Sequence, residues 1–249
     1  MIINSILDGV LDIELSHFFP SMINKVMNVP VQVFLLEIEG KKILIDTGAG
    51  DFAERCGLLN KNIDYDEIDL ILLTHIHPDH VGGLSYNGKR AFEKAEVVVC
   101  KKELDYWFSL KESSSSSNAL YAKYCQDKIK PYQIARKIHF IEEFSFPKEI
   151  QPIFAPGHTP GHHMYYIESQ NLYFIGDLIH FENIQIEQPL LLNHQDENSP
   201  LAAKTRSDFF NKIGEKKIKI AGAHIQNSGI IEVCKKGKLL NWEYLSLSR

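Results

Sequence analysis

Apolar residues in this chain fall in short runs separated by turn-forming clusters, a pattern that predicts many strands and a few helices. Residues 1–14 alternate in a strand-like way, and Asp8-Gly9 inside them predicts a hairpin turn. Val31–Ile38 is a β-rich run that Glu39-Gly40 turns back into Lys42–Ile45, which ends in Asp46-Thr47-Gly48. Ile68–Thr74 reads as a buried strand stopping at His75, and a short helix is expected from about Asp79 to Leu84. Further strands are expected at Glu96–Cys100, Ile138–Ile141, Ile150–Ala155, Met164–Ile167, Leu172–Ile175 and Lys217–Ala221. A helix is expected over Pro200–Ile213, and a terminal hairpin (Ile230–Val233 with Lys238–Tyr244) around Lys236-Gly237. Residues 101–130 look helical, with Leu104, Trp107, Phe108 and Leu110 on one side. The five serines Ser113–Ser117 interrupt them and read as a mobile loop, serving either a solvated excursion or a lid or pocket wall. With no repeat and no clear linker, one domain over 1–249 is expected, carrying a helical insertion at about 101–131.

Composition narrows the function classes. Hydrophobic residues make up 44% and charged residues 24% of 249, enough for a sizeable core. The net charge of −5 gives no basic footprint for a nucleic-acid partner. Cys56, Cys100, Cys125 and Cys234 form no CxxC pair and read as reduced thiols of a cytoplasmic protein. Asp8, Asp12 and Glu14 break up the first apolar residues, so neither a secretory leader nor a membrane span is expected. A small-molecule substrate is the expected partner, and pairing of two copies into a homodimer stays open.

The chemistry concentrates in Thr74-His75-Ile76-His77-Pro78-Asp79-His80-Val81-Gly82-Gly83. Four metal-ligating side chains fall within six positions, an arrangement that chance places in roughly one such chain in a thousand. In an extended segment His75 and His77 point the same way and can grip one ion. The chain then turns at Pro78, aiming Asp79 and His80 at a neighbouring ion, and Gly82-Gly83 lets backbone pack closely behind. His158, Asp177 and His224 each follow an apolar β run beside glycine. Singly, each has a bland reading as a structural histidine or a turn aspartate. Together with the histidine cluster they predict a metal site at one edge of a sheet structure. His17, His139 and His194 lack motif context and read as structural, whereas His162, His163 and His180 lie beside candidate ligands and can support them.

The order HxHxDH, Gly-His, Gly-Asp, Ala-His resembles the metallo-β-lactamase superfamily across almost the whole chain, and Ile45-Asp46-Thr47-Gly48 matches its first motif. The resemblance implies an α+β, four-layer αββα sandwich. It makes His75, His77 and His158 ligands of one ion, and Asp79, His80 and His224 ligands of the other. Asp177 would bridge the two, and Asp46 would orient the ligand loop. Two divalent ions follow, with zinc favoured and manganese, cobalt or iron admissible on the same donors. Asp79-His80 differs from the Glu-x-Asp pattern of redox di-iron members, which favours hydrolysis. Gly176-Asp177-Leu178-Ile179-His180, followed by Ile184-Gln185 and Gln188-Pro189, is most similar to the branch of methyl parathion hydrolase, lactonases and arylesterases.

The implied enzyme is a dinuclear hydrolase that uses a metal-bound hydroxide on small esters, lactones or phosphotriesters, with Asp79 and Asp177 as its catalytic carboxylates. No GxSxG elbow competes with that reading. The alternatives are a glyoxalase II-like thioester hydrolase, a phosphodiesterase, and a non-catalytic binding protein on the same fold. Phe18, Phe19, Trp107, Phe108 and Phe181 are candidate pocket aromatics, each with an equally ordinary reading as core.

Overall fold

In the computed structural model, β1 (Ile2–Glu14) and α1 (Leu15–Phe18) lead into the long strand β2 (Val26–Ile38). Glu39 and Gly40, both at positive φ, then reverse the chain into β3 (Lys41–Ile45), as their sequence predicts. The structure describes residues 1–59, 62–111, 116, 118–213, 216–236 and 239–245. The chain divides into two units, one of residues 1–11 and 31–147 and the other of residues 12–30 and 148–249.

The first unit continues with β4 (Leu70–Leu72), α2 (Pro78–Val81), the small hairpin β5 (Ser85–Tyr86) and β6 (Lys89–Arg90), β7 (Glu96–Val99), α3 (Lys101–Ser109), α4 (Ala119–Ile134) and β8 (Ile138–Phe140). Its sheet runs in the order β1-β2-β3-β4-β7-β8. The pairs β3–β4, β4–β7 and β7–β8 are parallel. Parallel strands buried on both faces need continuous apolar runs, and Leu70-Ile71-Leu72 and Val97-Val98-Val99 supply them. The two helices of the predicted insertion pack into the same core through Leu104, Trp107, Ala122, Cys125, Ile129 and Tyr132. Of the serine run, only Ser116 lies among the described residues, so the mobile-loop reading falls outside them, as does Gly237 of the terminal turn.

One prediction fails here. Asp8-Gly9 makes no hairpin, and β1 runs straight through it. The Asp8 carboxylate is buried and accepts the backbone N–H groups of Ala49, Gly50, Gly57 and Leu59 at 2.9–3.3 Å. A Cβ on Gly9 would stand 2.3 Å from the Arg55 carbonyl oxygen. The pair therefore holds the loop after β3 against the strand. The sequence rule assigns it to a turn, because Asp and Gly suit both roles.

The second unit adds β9 (Ile150–Phe154), β10 (His163–Ile167), β11 (Leu172–Phe174), α5 (Glu182–Gln185), α6 (Ser199–Lys212), β12 (Ile218–Ala221), β13 (Ile230–Lys236) and β14 (Leu239–Tyr244). Its sheet runs β14-β13-β12-β11-β10-β9. Among its described residues only β11 and β12 pair in parallel, with Phe174 opposite Ala221. That register sends the residues after both strands out at one edge. The antiparallel pair β9–β10, with Phe154 opposite His163, places the 155–162 connection at the end of β10 where the pairing Tyr165 with Phe174 brings β11 to its close. Phe209, Phe210 and Ile213 of α6 and its exit pack on this sheet with Ile218, Ile220, Ile231 and Val233. Among the described residues no helix is long and apolar enough to cross a membrane.

Candidate functional site

In the first unit, Asp46 and Thr74 leave neighbouring parallel strands at the same edge. The Asp46 N–H bonds the Leu72 carbonyl, and the Thr74 N–H donates to Asp46 Oδ1 at 2.8 Å. Asp46 sits at φ +61°, a left-handed conformation that aims its carboxylate back under the histidine loop. Its Oδ2 accepts from Thr74 Oγ1 and from His80 Nδ1, each at 2.8 Å. Behind the loop, a Cβ on Gly82 would stand 1.9 Å from the Ala49 carbonyl and one on Gly83 2.2 Å from that of Thr47. The two glycines therefore do admit close backbone packing.

Hydrogen-bond partners fix the ring protons. The Thr74 hydroxyl spends its proton on Asp46, so it accepts from His75 Nδ1 at 3.0 Å and leaves His75 Nε2 as a lone pair. His77 Nε2 donates to Asn118 Oδ1 at 3.0 Å, leaving Nδ1 as a lone pair. These two lone pairs face each other at 2.9 Å, an approach that neutral rings tolerate only with a cation between them. His80, bonded through Nδ1, places its buried Nε2 3.9 Å from Asp79 Oδ2. Sequence reasoning missed two supports of this loop. The buried Glu103 Oε1 accepts the Ile76 N–H at 3.0 Å and the Trp107 indole N–H at 2.8 Å, and Trp107 meets the His77 ring edge-on at 5.3 Å. Trp107 is fully buried in the core rather than on a pocket wall, and the partly buried Phe108 packs against the same core.

In the second unit, His158, Asp177 and His224 meet at the edge that the β11–β12 register defines. Asp177 Oδ2 lies 3.3 Å from His158 Nε2 and 3.2 Å from His224 Nε2. His224 Nδ1 bonds the Pro30 carbonyl at 2.9 Å, and a carbonyl only accepts, so the proton sits on Nδ1. With Nδ1 so committed, the contact of Nε2 with a carboxylate oxygen calls for a positive charge at Nε2, which a metal ion or a second ring proton supplies. His158 Nδ1 bonds Asp196 Oδ1 at 2.9 Å. Burial works against charging His158, and the hydrogen bonds to Asp177 and Asp196 outweigh it, holding the ring up at about 9. A proton can supply that positive charge on His158, as a metal ion would.

His180 also reaches Asp177 Oδ2, at 3.2 Å, and Asp177, His180 and His224 bring one ligating atom each within 4.8 Å of one another. Burial lowers the His180 pKa, which keeps the ring neutral. His162 serves as a support: its Nδ1 bonds the Ala155 carbonyl and its Nε2 accepts the Asp177 N–H at 3.1 Å. His163 bonds the Gly161 carbonyl instead. His17 pairs with Glu14 and His139 with Glu96, away from both sets. Phe18, Phe19 and Phe181 form their own buried cluster with Leu15 and Val29, and Phe18 meets His180 edge-on at 5.1 Å.

Each unit thus contributes donors of the kind that metal ions take: imidazole nitrogens near one another or near a carboxylate, with the opposite ring nitrogens already committed. The description of the metallo-beta-lactamase superfamily matches residues 27–224, and the chain belongs to that family. Its α+β fold, two mixed six-stranded sheets each packed with helices, is of that family's type.

An N-acyl homoserine lactonase from Bacillus thuringiensis is 29% identical over 171 residues, which cover 59% of this chain and 61% of that protein. The match thus spans less than two thirds of the relative's length. Among solved structures, the hydrolase AbOPH of the beta lactamase superfamily superposes with a TM-score of 0.87 at 26% identity, covering 99% of this chain and 95% of that one. AidC, a dizinc quorum-quenching lactonase in complex with a product homoserine, also gives a TM-score of 0.87, at 25% identity and the same coverage.

Proposed function

We propose that the chain is a metal-dependent hydrolase of small esters, lactones or phosphotriesters. The observation that carries this reading is the approach of His224 Nε2 to Asp177 Oδ2 at 3.2 Å while His224 Nδ1 is held by a carbonyl. Two divalent ions, zinc by the preference of nitrogen and carboxylate donors, would be held by His75, His77 and His158 on one side and by Asp79, His80 and His224 on the other. Asp177 would serve both. When bound, such ions supply Lewis-acid activation of water and of a substrate oxygen at neutral pH.

The chain's own residues then divide the work. Asp46, Asp196 and the Pro30 carbonyl hold His80, His158 and His224 by their Nδ1 atoms, so the Nε2 atoms are the ones that would ligate metal. Asp177 fixes charge at the centre, and His162 anchors its backbone. Asp79, whose side chain is 15% exposed, would also relay a proton during turnover in this reading, beside its role as a ligand. An uncharged substrate, rather than a nucleotide or a glutathione thioester, is part of the proposal, and the buried Phe18 and Phe181 beside His180 bring no charge to that neighbourhood.

The similarity to AidC and to the Bacillus lactonase supports a lactone substrate within this class. A cytoplasmic location is part of the proposal, supported by four free cysteines. Burial pushes the Cys56 and Cys100 thiols up to about 12, which leaves them unreactive. Nothing basic recommends nucleic acid as a partner.

A panel of aryl esters, acyl lactones, a phosphotriester, a thioester and a phosphodiester, assayed before chelation, after it and after zinc is restored, tests the reading. Chelator-sensitive hydrolysis of an ester or lactone is expected. Thioester or phosphodiester turnover orders of magnitude faster than every ester and lactone would overturn the substrate assignment.

A further inference from the structure

His180 stands in the metal-site cluster by distance, yet its other ring nitrogen meets a different kind of partner from those of its neighbours. The Nδ1 atoms of His158, His80 and His224 face oxygens, on Asp196, Asp46 and Pro30. His180 Nδ1 instead faces the amide nitrogen of the fully buried Asn193 at 3.4 Å. The orientation of that amide is set independently. Asn193 Oδ1 accepts the Gln195 N–H at 2.9 Å, which turns Nδ2 toward His180 and toward Asp196 Oδ1 at 3.5 Å. An amide nitrogen only donates. His180 Nδ1 must therefore accept, and the ring proton lies on Nε2, the atom 3.2 Å from Asp177 Oδ2.

The loop bearing Asn193 is itself tied to the Asp177 segment. The buried Arg206 of α6 donates from Nη1 to the Leu178 carbonyl at 3.1 Å, from Nε to the Pro189 carbonyl at 2.8 Å and from Nη2 to the Leu191 carbonyl. Asn193 and Asp177 are thus held in register by one guanidinium whose fork matches three main-chain oxygens.

We infer that His180 is a positioning residue that donates a hydrogen bond from Nε2 to Asp177, and that Asn193 enforces this role by excluding the tautomer that would make His180 a metal ligand. The single amide thereby discriminates between three histidine rings within 3.3 Å of one carboxylate oxygen: His158 and His224 are left to bind metal, and His180 holds the carboxylate that they share. The inference rests on the metal-site reading only for its affinity arm, since the tautomer is a property of the chain with or without metal.

Long-range proton–nitrogen NMR on protein labelled with 15N-histidine reads the tautomers, and His180→Gln identifies the His180 signals by their loss. The expected result is a protonated Nε2 and an unprotonated Nδ1 on His180, in protein stripped of metal and in protein loaded with zinc. An Nε2 without a proton in the zinc-loaded protein overturns the inference. Zinc titration supplies the second arm. Glutamine can donate from its amide but is a poor ligand, so His180→Gln should keep zinc affinity within about threefold of the parent, while His180→Ala should weaken it about 10-fold or more, as loss of a supporting hydrogen bond does. Equal losses in the two variants would mean ligation and overturn it.

Asn193→Asp should accept from Nδ1–H, move the ring proton off Nε2 and turn His180 into an added zinc ligand. An unchanged tautomer in that folded variant counts against the inference, and if the variant does not fold, the parent spectrum alone decides. Should the parent bind no zinc at all, the proposed function fails, and the metal-free spectrum still decides the role of His180.

Discussion

His224 turns Nε2 toward Asp177 Oδ2 at 3.2 Å, with its proton held on the far side of the ring by the Pro30 carbonyl. A carboxylate oxygen and an imidazole lone pair repel, so this approach needs a metal ion or a second ring proton at Nε2. Asp177→Ala removes the charge that both candidate ion positions depend on. It should cut turnover by about 100-fold or more and weaken zinc binding at least as much, beyond what loss of a supporting contact costs. Steady-state kinetics and zinc titration check it, and parent-like values would show Asp177 to be misassigned.

The pH dependence of metal uptake follows from His158. In metal-free protein its pKa is about 9, against an ordinary value of 6.5, because hydrogen bonds to Asp177 and Asp196 overcome burial. The sign is that of a raised group. The proton stabilises the folded, metal-free chain fully below about 6.5, and this contribution is lost as pH rises through about 9. A metal ion displaces that proton, so zinc affinity should rise between pH 6.5 and 9, with close to one proton released from His158 per chain at pH 7. Calorimetry in buffers of differing ionisation enthalpy measures the release. A pH-independent affinity over this range would contradict it.

Trp107 is a core residue that braces a site residue. Its indole binds Glu103 and its ring meets His77, and it is fully buried. Trp107→Ala should cost about 3–5 kcal/mol of stability, the range for large aromatic truncations. It should also loosen the His75–His77 loop, so that zinc affinity falls as well. Urea unfolding with zinc titration tests this, and an altered substrate preference at unchanged stability would restore the pocket-wall reading.

Asp8 holds the loop after β3 rather than any candidate ligand. Asp8→Ala leaves four N–H groups, three of them buried, without their acceptor and should destabilise the protein by about 3 kcal/mol or more. The urea midpoint should fall, and zinc binding by the folded fraction should be retained. An unchanged midpoint would show that water replaces the carboxylate.

What the sequence makes legible follows from how each feature is encoded. His75, His77, Asp79 and His80 are contiguous, and His158, Asp177 and His224 follow apolar strands beside glycine, so local pattern suffices. Strand existence is legible for the same reason, with boundaries that shift by up to five residues, as Ile68–Thr74 narrows to Leu70–Leu72 and Val31–Ile38 lengthens to Val26–Ile38. The supports are not legible. Asp196 reaches His158 across 38 positions, Asn118 reaches His77 across 41 and Glu103 reaches Ile76 across 27. Each is a common residue type in an unremarkable setting, and only folding reveals its partner. Asp8-Gly9 misleads because a turn signal and a buried carboxylate beside a close backbone approach share the same two letters. The short helix Glu182–Gln185 is invisible because four residues carry no periodicity.

Metal content tests the central claim most directly. Protein purified without chelator and measured by elemental mass analysis should carry close to two divalent metal equivalents per chain, zinc foremost, and removing them should abolish hydrolysis until metal is restored. Full hydrolytic activity in protein holding no more than trace metal would contradict the account.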